Sequence, residues 1–272
     1  MASGEALRRD IESFVPATGR LGLWWLGQMG FVLRIGGAVL FLDPYLSPKA
    51  SRRVPPLLAP GDLAGATLVL GSHDHSDHID RPAWPAVAAA APNVRFAVPD
   101  LLLPALAGDL GIPLQRFLGL DDGRAVNVGS VKVSALPASH ELLDRDPATG
   151  RYPYLGYVIQ AGGCTVYHAG DTCLYEGIQA RLRSWQPDVM ILPINGRDAK
   201  RLSSGCIGNM TYQEAADLAG SVGPRLVVPG HFDMFAHNGE DPALFADYMR
   251  VKYPAIGVVV PVHGQRFEFA RP

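Results

Sequence analysis

The sequence predicts an α+β fold in which two β-sheets pack face to face and helices cover their outer sides. Short runs of Val, Ile and Leu recur along the 272 residues, and Gly, Pro, Asp or Asn bounds each run. The first half of the chain consists mostly of consecutive strand-like runs, whereas the second half alternates strand-like and helix-like stretches. Together these observations favour two sheets that share one core.

The strand-like runs are short, and the continuously apolar ones are typical of buried strands. In chain order they lie at residues 23–26, 31–35, 39–42, 67–70, 94–98, 131–136, 155–160, 165–168, 189–192, 226–228 and 257–260.

Helix-like stretches separate many of these strands. Thr211 and Glu214 are spaced as a capping box, which predicts a helix that begins at this point. The amino-terminal stretch is charged and resembles a short amphipathic helix without the apolar core of a signal peptide. We therefore expect a helical extension over 1–20 and a single domain over 21–272. The other predicted helices span 82–91, 101–110, 175–184 and 242–252.

Composition narrows the function classes. Hydrophobic residues make up 48% and charged residues 18%, a globular balance, and the net charge of −2 gives no support for a nucleic-acid partner. The apolar runs are too short to cross a bilayer. The three cysteines form no CxxC pair, as expected in a reducing compartment. We expect a cytoplasmic protein with a small-molecule partner and no membrane partner; homo-oligomerisation stays open.

The segment SHDHSDH, residues 72–78, is the strongest functional signal. It follows the predicted strand 67–70 directly. Because side chains alternate along an extended backbone, His73 and His75 point the same way, and Asp77 and His78 follow on the turn. Neutral imidazole and carboxylate are ligand types that suit zinc, manganese and iron. A solvated loop or a helix cap is the alternative, but three histidines around two aspartates favour a metal site.

Three further side chains could complete such a site. His140 in LPASHE, Asp171 in YHAGDT and His231 in VVPGHFD each follow a predicted strand. A lone histidine after a strand is more often a hydrogen-bonded loop residue. Their order after the first motif makes the metal interpretation more specific.

The order HxHxDH, His, Asp, His, each after a strand, resembles the metallo-β-lactamase fold from about residue 22 to 269. The segments LWWLGQMGFVLRIGG, DPYLS, HDHSDH, YHAGDT and PGHFDMFAHN are similar to the L-ascorbate-6-phosphate lactonase family of that fold. The resemblance implies a four-layer αββα sandwich with two mixed sheets and a dinuclear metal site.

The resemblance also implies roles for these ligands. Asp171 would bridge two divalent ions, and an Asp at that position indicates manganese or zinc, with iron as a further candidate. His263 in PVHGQRF competes with His231 for the last ligand position, and the segment PGHFDMF favours His231. The first ion would be held by His73, His75 and His140, and the second by Asp77, His78 and His231.

Two such ions would lower the pKa of a shared water and supply hydroxide, which Asp77 could orient. The residues expected at the substrate are less strongly marked. Arg197 could fork onto a phosphate or carboxylate, with help from Asn195. The alternative is that Asn195–Asp198 forms a turn with solvated charges. His237, His263 and Gln28 are further candidates for the pocket wall.

The leading hypothesis is a lactonase-type hydrolase acting on a small anionic substrate, including phosphorylated ones. A phosphodiesterase of the same fold is the first alternative. A mononuclear iron dioxygenase and a non-catalytic binding protein are the others. An iron oxidoreductase of the same fold is another alternative. Its flavin-linked di-iron members carry Glu where this chain has His75, which argues against this alternative.

Overall fold

The computed structural model describes residues 1–272, and the chain forms two β-sheets. The first sheet consists of β1 (Arg20–Gly27), β2 (Gly30–Ile35), β3 (Ala38–Leu42), β4 (Leu68–Leu70), β5 (Arg95–Pro99), β6 (Phe117–Leu120) and β14 (Arg266–Ala270). These strands lie in the order β14-β1-β2-β3-β4-β5-β6. The pairs from β14 through β1 and β2 to β3 are antiparallel and those from β3 to β6 are parallel, so the sheet is mixed.

The second sheet also has seven strands, in the order β13-β12-β11-β10-β9-β8-β7. Its strands β10 to β13 are parallel, whereas β7 to β10 are antiparallel. Its members are β7 (Ala125–Val128), β8 (Val131–Pro137), β9 (Leu155–Ala161), β10 (Cys164–His168), β11 (Val189–Pro193), β12 (Leu226–Gly230) and β13 (Gly257–Val258).

Seven α-helices accompany the sheets. None of them combines the length and the apolar content that crossing a bilayer requires. They are α1 (Gly4–Ser13), α2 (Trp84–Ala90), α3 (Leu103–Leu110), α4 (Ile178–Trp185), α5 (Ala199–Ser203), α6 (Tyr212–Val222) and α7 (Pro242–Lys252).

Burial shows how these layers stack. Neighbouring residues of β1 enter different cores: Trp25 joins a cluster of 46 buried residues, and Trp24 joins a second cluster of 25. The larger cluster connects both sheets with α4, α6 and α7, and the smaller one lies between the first sheet and helices α1 to α3. Each sheet therefore has a helical layer on its outer side, which confirms the predicted αββα sandwich.

Most predicted elements are present, and α7 has the predicted bounds. The sequence prediction missed β6, β7, β14 and α5. Strand β6 is interrupted by Gly119, and β14 is an edge strand whose charged Arg266 and Glu268 break the apolar run. Such strands are specified by their partners more than by their own composition.

One edge of the fold collects the polar motifs. Strands β10, β11 and β12 are parallel. Strand β8 runs in the same direction, because β8 and β10 are both antiparallel to β9. The residues that follow β8, β10 and β12 therefore emerge at the same edge. The motif after β4 reaches this edge from the first sheet, since Leu155 N donates to Ser72 O at 3.0 Å.

The capping box of α6 provides a test of local stability. Thr211 Oγ1 accepts from Glu214 N at 3.3 Å, and Thr211 N donates to Glu214 Oε2 at 2.9 Å. Thr211→Ala should lower the free energy of unfolding by about 1 kcal/mol, because the Glu214 amide loses its acceptor. Thr211→Ser keeps the hydroxyl and should stay close to wild type. Chemical denaturation measures both, and equal stability of Thr211→Ala and wild type would contradict a stabilising cap.

Candidate metal centre

The motif after β4 folds into a tight turn that gathers its side chains. His78 N and Ile79 N both donate to His75 O, at 3.0 and 2.8 Å. His73 and His78 are buried, whereas His75 is exposed and Asp77 is partly exposed. The turn thus presents imidazoles from the interior and from the surface to one point.

The first group of ligands consists of three imidazoles. His73 Nε2 lies 2.9 Å from His75 Nδ1, and His140 Nε2 lies 3.3 Å from the same atom. Neutral imidazole has only one N–H, so the rings cannot all satisfy one another. Three convergent ring nitrogens are a donor set that a divalent cation fits.

The second group combines Asp77, His78 and His231. Asp77 Oδ2 lies 3.7 Å from His78 Nε2 and 3.6 Å from His231 Nε2. His231 has a positive φ of 57°, a strained conformation for a residue with a side chain. Strain of this kind persists only where surrounding contacts impose it, and it is concentrated at functional sites.

Asp171 lies between the two groups. Its Oδ1 is 3.4 Å from His78 Nε2, while its Oδ2 is 3.2 Å from His231 Nε2 and 3.9 Å from His140 Nε2. One carboxylate oxygen therefore faces the second group, and the other faces both. Asp171 is therefore within reach of a cation held by either group.

Unsatisfied buried atoms test whether the residues fit a metal. His78 Nε2 and Asp171 Oδ1 are buried and have no hydrogen-bond partner. Burying polar atoms without partners is costly, so their presence at the meeting point of seven ligand side chains requires an explanation. Coordination to a divalent cation would satisfy them. The cluster can therefore bind metal.

Asp43 orients this cluster, and the sequence analysis did not assign it a role. Its carboxylate accepts from Ser72 N at 2.8 Å and from Ser72 Oγ at 2.7 Å, and it contacts His78 Nδ1 at 2.6 Å. With Nδ1 engaged, His78 turns Nε2 toward Asp171. Ser72 Oγ also contacts His73 Nδ1 at 3.0 Å. The available signal was the DPYLS segment directly after a buried strand.

Gln28, directly after β1, reaches the centre. Its Nε2 lies 3.0 Å from Asp77 Oδ2 and 3.3 Å from His231 Nε2. Its φ is 51°, and its carbonyl accepts from His231 N at 2.9 Å. His168 is buried and contacts Met29 O at 2.8 Å, outside the ligand groups, as expected for a core residue.

Electrostatics divides the histidines into two kinds. Burial lowers the pKa of His140 to about 4, against the attraction of Asp171. Burial and the charge of His78 likewise lower the pKa of His73. Burial also opposes charge on His231, yet Asp171 and Asp77 raise its pKa to about 10. The first group is therefore neutral near pH 7, with lone pairs free for a cation.

The carboxylates are ionised for the converse reason. Although burial raises it, the charges of His231 and His78 hold the pKa of Asp171 well below its ordinary range. In the same way, His78 and His231 depress the pKa of Asp77 despite its burial. Without a cation, protonated His78 and His231 balance the charges of Asp77 and Asp171. Metal binding should therefore release protons.

The predicted substrate residues occupy different surroundings. Asn195 is buried and donates to Asn238 Oδ1 at 2.8 Å. Arg197 makes a two-point ion pair with Glu214, at 2.6 and 2.7 Å, so its fork is already engaged. His237 is exposed on the loop after β12, beside Phe235.

His263 lies outside the groups of potential ligands. Its ring stacks on Trp25 at a centroid distance of 4.1 Å, and its Nε2 contacts the Asp233 carboxylate. Of the two candidates for the last ligand position, His231 is the one that the structure brings next to Asp77 and Asp171.

Comparison with known proteins agrees with this geometry. Residues 39–232 match the family model described as beta-lactamase superfamily domain. The chain belongs to this superfamily. A protein of Caldivirga maquilingensis named UPF0173 metal-dependent hydrolase is 29% identical over 88% of this chain and 93% of its own length. A namesake from Pyrobaculum arsenaticum is 31% identical over 81% and 88%.

Solved structures share the fold of this chain. Igni18, described as a novel metallo hydrolase from Ignicoccus hospitalis, superimposes with a TM-score of 0.70 at 21% identity. The match covers 93% of this chain and all of that protein. At this identity the similarity concerns the fold alone.

The role of Asp43 can be tested by substitution. Asp43→Asn should weaken metal affinity about 10- to 100-fold, because His78 loses the charged partner that orients its ring. Metal affinity is measured by competition with a chromogenic chelator, alongside thermal melting.

The matched control is Asp80→Asn. Asp80 is equally buried, but it accepts from Leu46 N and Ser47 N and contacts no histidine. It should lose stability with little change in metal affinity. If both variants lost affinity equally, the effect would be general destabilisation, and the orienting role of Asp43 would be wrong.

Proposed function

We propose that this chain is a metal-dependent hydrolase of the lactonase type that acts on a small anionic substrate. The observation that carries the proposal is the convergence of six other candidate ligands around Asp171. The names of the curated relatives support the hydrolase class. The first ion would be held by His73, His75 and His140, the second by Asp77, His78 and His231, with Asp171 between them.

Two divalent cations bound here, manganese, zinc or iron, would supply hydroxide near neutral pH and polarise the carbonyl of an ester. The protein's own contribution is orientation. Gln28 Nε2 donates to Asp77 Oδ2. The other oxygen of that carboxylate would take the proton that the water loses on forming hydroxide and pass it to the leaving oxygen. In a lactone, the leaving oxygen is the ring alkoxide.

A cavity of about 220 Å³, lined by Glu141 next to the candidate ligand His140 in the sequence, supports a small substrate. Its walls come from the segments that follow β8 and β11, and they combine charged and apolar side chains. Arg197 provides the cationic group of this wall, and Leu202 and Ile207 provide apolar surface. An anionic group of the substrate would compete with Glu214 for the guanidinium.

The proposed activity is tested by metal analysis followed by a substrate screen. Protein purified without chelator or nickel should contain about two equivalents of manganese, zinc or iron. The screen compares lactones with phosphodiesters. Turnover of phosphodiesters alone would replace the lactonase proposal with a phosphodiesterase. One equivalent of iron with oxygen consumption would replace it with a dioxygenase, and a chain that takes up no metal would be a binding protein.

Asp171→Ala should remove one or both metals and abolish turnover, because the carboxylate next to His78, His140 and His231 is lost. Elemental analysis and initial rates measure these effects. Asp74→Ala is the matched control, since Asp74 belongs to the same motif but pairs with Arg81 at 2.7 Å. It should keep its metal and its activity. An active Asp171→Ala enzyme with two metals would contradict the bridging role.

Arg197→Ala should raise KM for an anionic lactone by about tenfold, because a charge-assisted hydrogen bond is lost. A neutral lactone of the same ring size should be affected much less. Thermal melting accompanies the kinetics, since Arg197 also anchors Glu214 of the capping box. Equal effects on both lactones would identify the Asn195–Asp198 segment as a structural turn.

A further inference from the structure

A large cleft lies away from the candidate metal centre. It has a volume of about 950 Å³ and lies where β11 and β12 begin. Arg225 directly precedes β12, and His231 follows it. At about 3.3 Å per strand residue, the two edges are roughly 20 Å apart. A ligand in this cleft therefore cannot contact the proposed metals.

The lining of the cleft is strongly cationic. Asp188 is its one acidic lining residue. Asp217 is outside the lining and forms an ion pair with Lys252. The chain as a whole carries a net charge of −2, so positive charge is concentrated at this point. The four cationic residues of the lining are Arg183, Arg225, Lys252 and Arg271.

The buried carboxylate of Asp188 organises two of these cations. Its Oδ1 lies 2.7 Å from Arg271 Nε and 3.7 Å from Arg225 Nε, and its Oδ2 accepts from Thr165 N at 2.9 Å. Asp188 is 2% exposed, so the anchor belongs to the core and the arginines extend from it toward the cleft. Arg271 Nε donates to Asp188, Arg225 forms a longer ion pair with it, and the terminal Nη groups of both arginines make no hydrogen bond within the protein.

Arg183, which also lines the cleft, is held through its Nε by a backbone carbonyl. Its Nε donates to Ser221 O at 2.6 Å. The Nη atoms of Arg183, Arg225 and Arg271 make no hydrogen bond within the protein. Terminal guanidinium nitrogens are the donors that pair with phosphate and carboxylate oxygens. Three such groups around one cleft match a ligand with several anionic oxygens.

We infer that this cleft binds a small molecule carrying at least two phosphate or carboxylate groups, independently of the metal centre. A single anionic group could engage only part of the arginine set. The volume suits a ligand larger than an inorganic anion, since small-molecule sites measure about 300–1,000 Å³. Lys252 is paired with Asp217 at 2.6 Å and contributes less than the arginines.

The test uses inorganic pyrophosphate as the probe, titrated calorimetrically into the full-length metal-loaded protein at about 0.15 M ionic strength. The key variant is Arg183→Gln/Arg225→Gln, which leaves Arg271 on Asp188. We expect wild type to bind and the double variant to bind at least about tenfold more weakly, because charge-assisted hydrogen bonds are lost. Backbone amide shifts should locate the binding at Gly223 and its neighbours.

The matched control is Arg250→Gln. Arg250 is exposed on α7, pairs with Asp247 and does not line the cleft. It should bind as wild type does. Equal weakening in this control would mean a general charge effect and would overturn the inference. Unchanged affinity in the double variant would also overturn it, because the pyrophosphate would then reside at the metal centre, as would an absence of binding to wild type.

Discussion

The metal centre depends on one buried carboxylate that is not itself a ligand. Asp43 directly follows β3 and has a φ of 43°. Its carboxylate accepts hydrogen bonds from the backbone N–H and the hydroxyl of Ser72 and contacts the ring of His78. These contacts remove the rotational freedom of His78 before any cation binds. Because a misplaced ligand loses its coordination bond, preorganisation of this kind sustains the affinity of the whole group.

The sandwich explains why two sheets can serve one centre. The first sheet delivers the dense motif after β4, while the second delivers single ligands after β8, β10 and β12. The core of 46 residues packs the two sheets against each other. Candidate ligands far apart in sequence therefore meet, with carboxylate oxygens 3–4 Å from imidazole nitrogens. Burial of apolar surface thus provides the free energy that offsets the concentration of like-charged carboxylates at this edge.

The sequence allowed the layers and the seven candidate ligands to be predicted, because buried strands are continuously apolar and their following residues stand out. Contacts between distant segments were not visible in the same way. Asp43 follows a strand as Asp171 does, and only the structure shows that it faces an imidazole nitrogen. Arg197 was expected either to bind an anionic group or to lie in a turn with solvated charges, yet its partner Glu214 belongs to the capping box of α6. Edge strands such as β14 were missed because pairing defines them.

The two edges of the second sheet have opposite chemistries for a shared structural reason. Parallel strands place all their beginnings at one edge and all their ends at the other, so residues flanking five-residue strands are sorted by direction. At the carboxyl edge, buried carboxylates and lone pairs require positive charge. At the amino edge, buried Asp188 is already neutralised, and the arginines that neutralise it retain donors for an anion. The same short strands therefore separate a cation-binding edge from an anion-binding edge by the full height of the sheet.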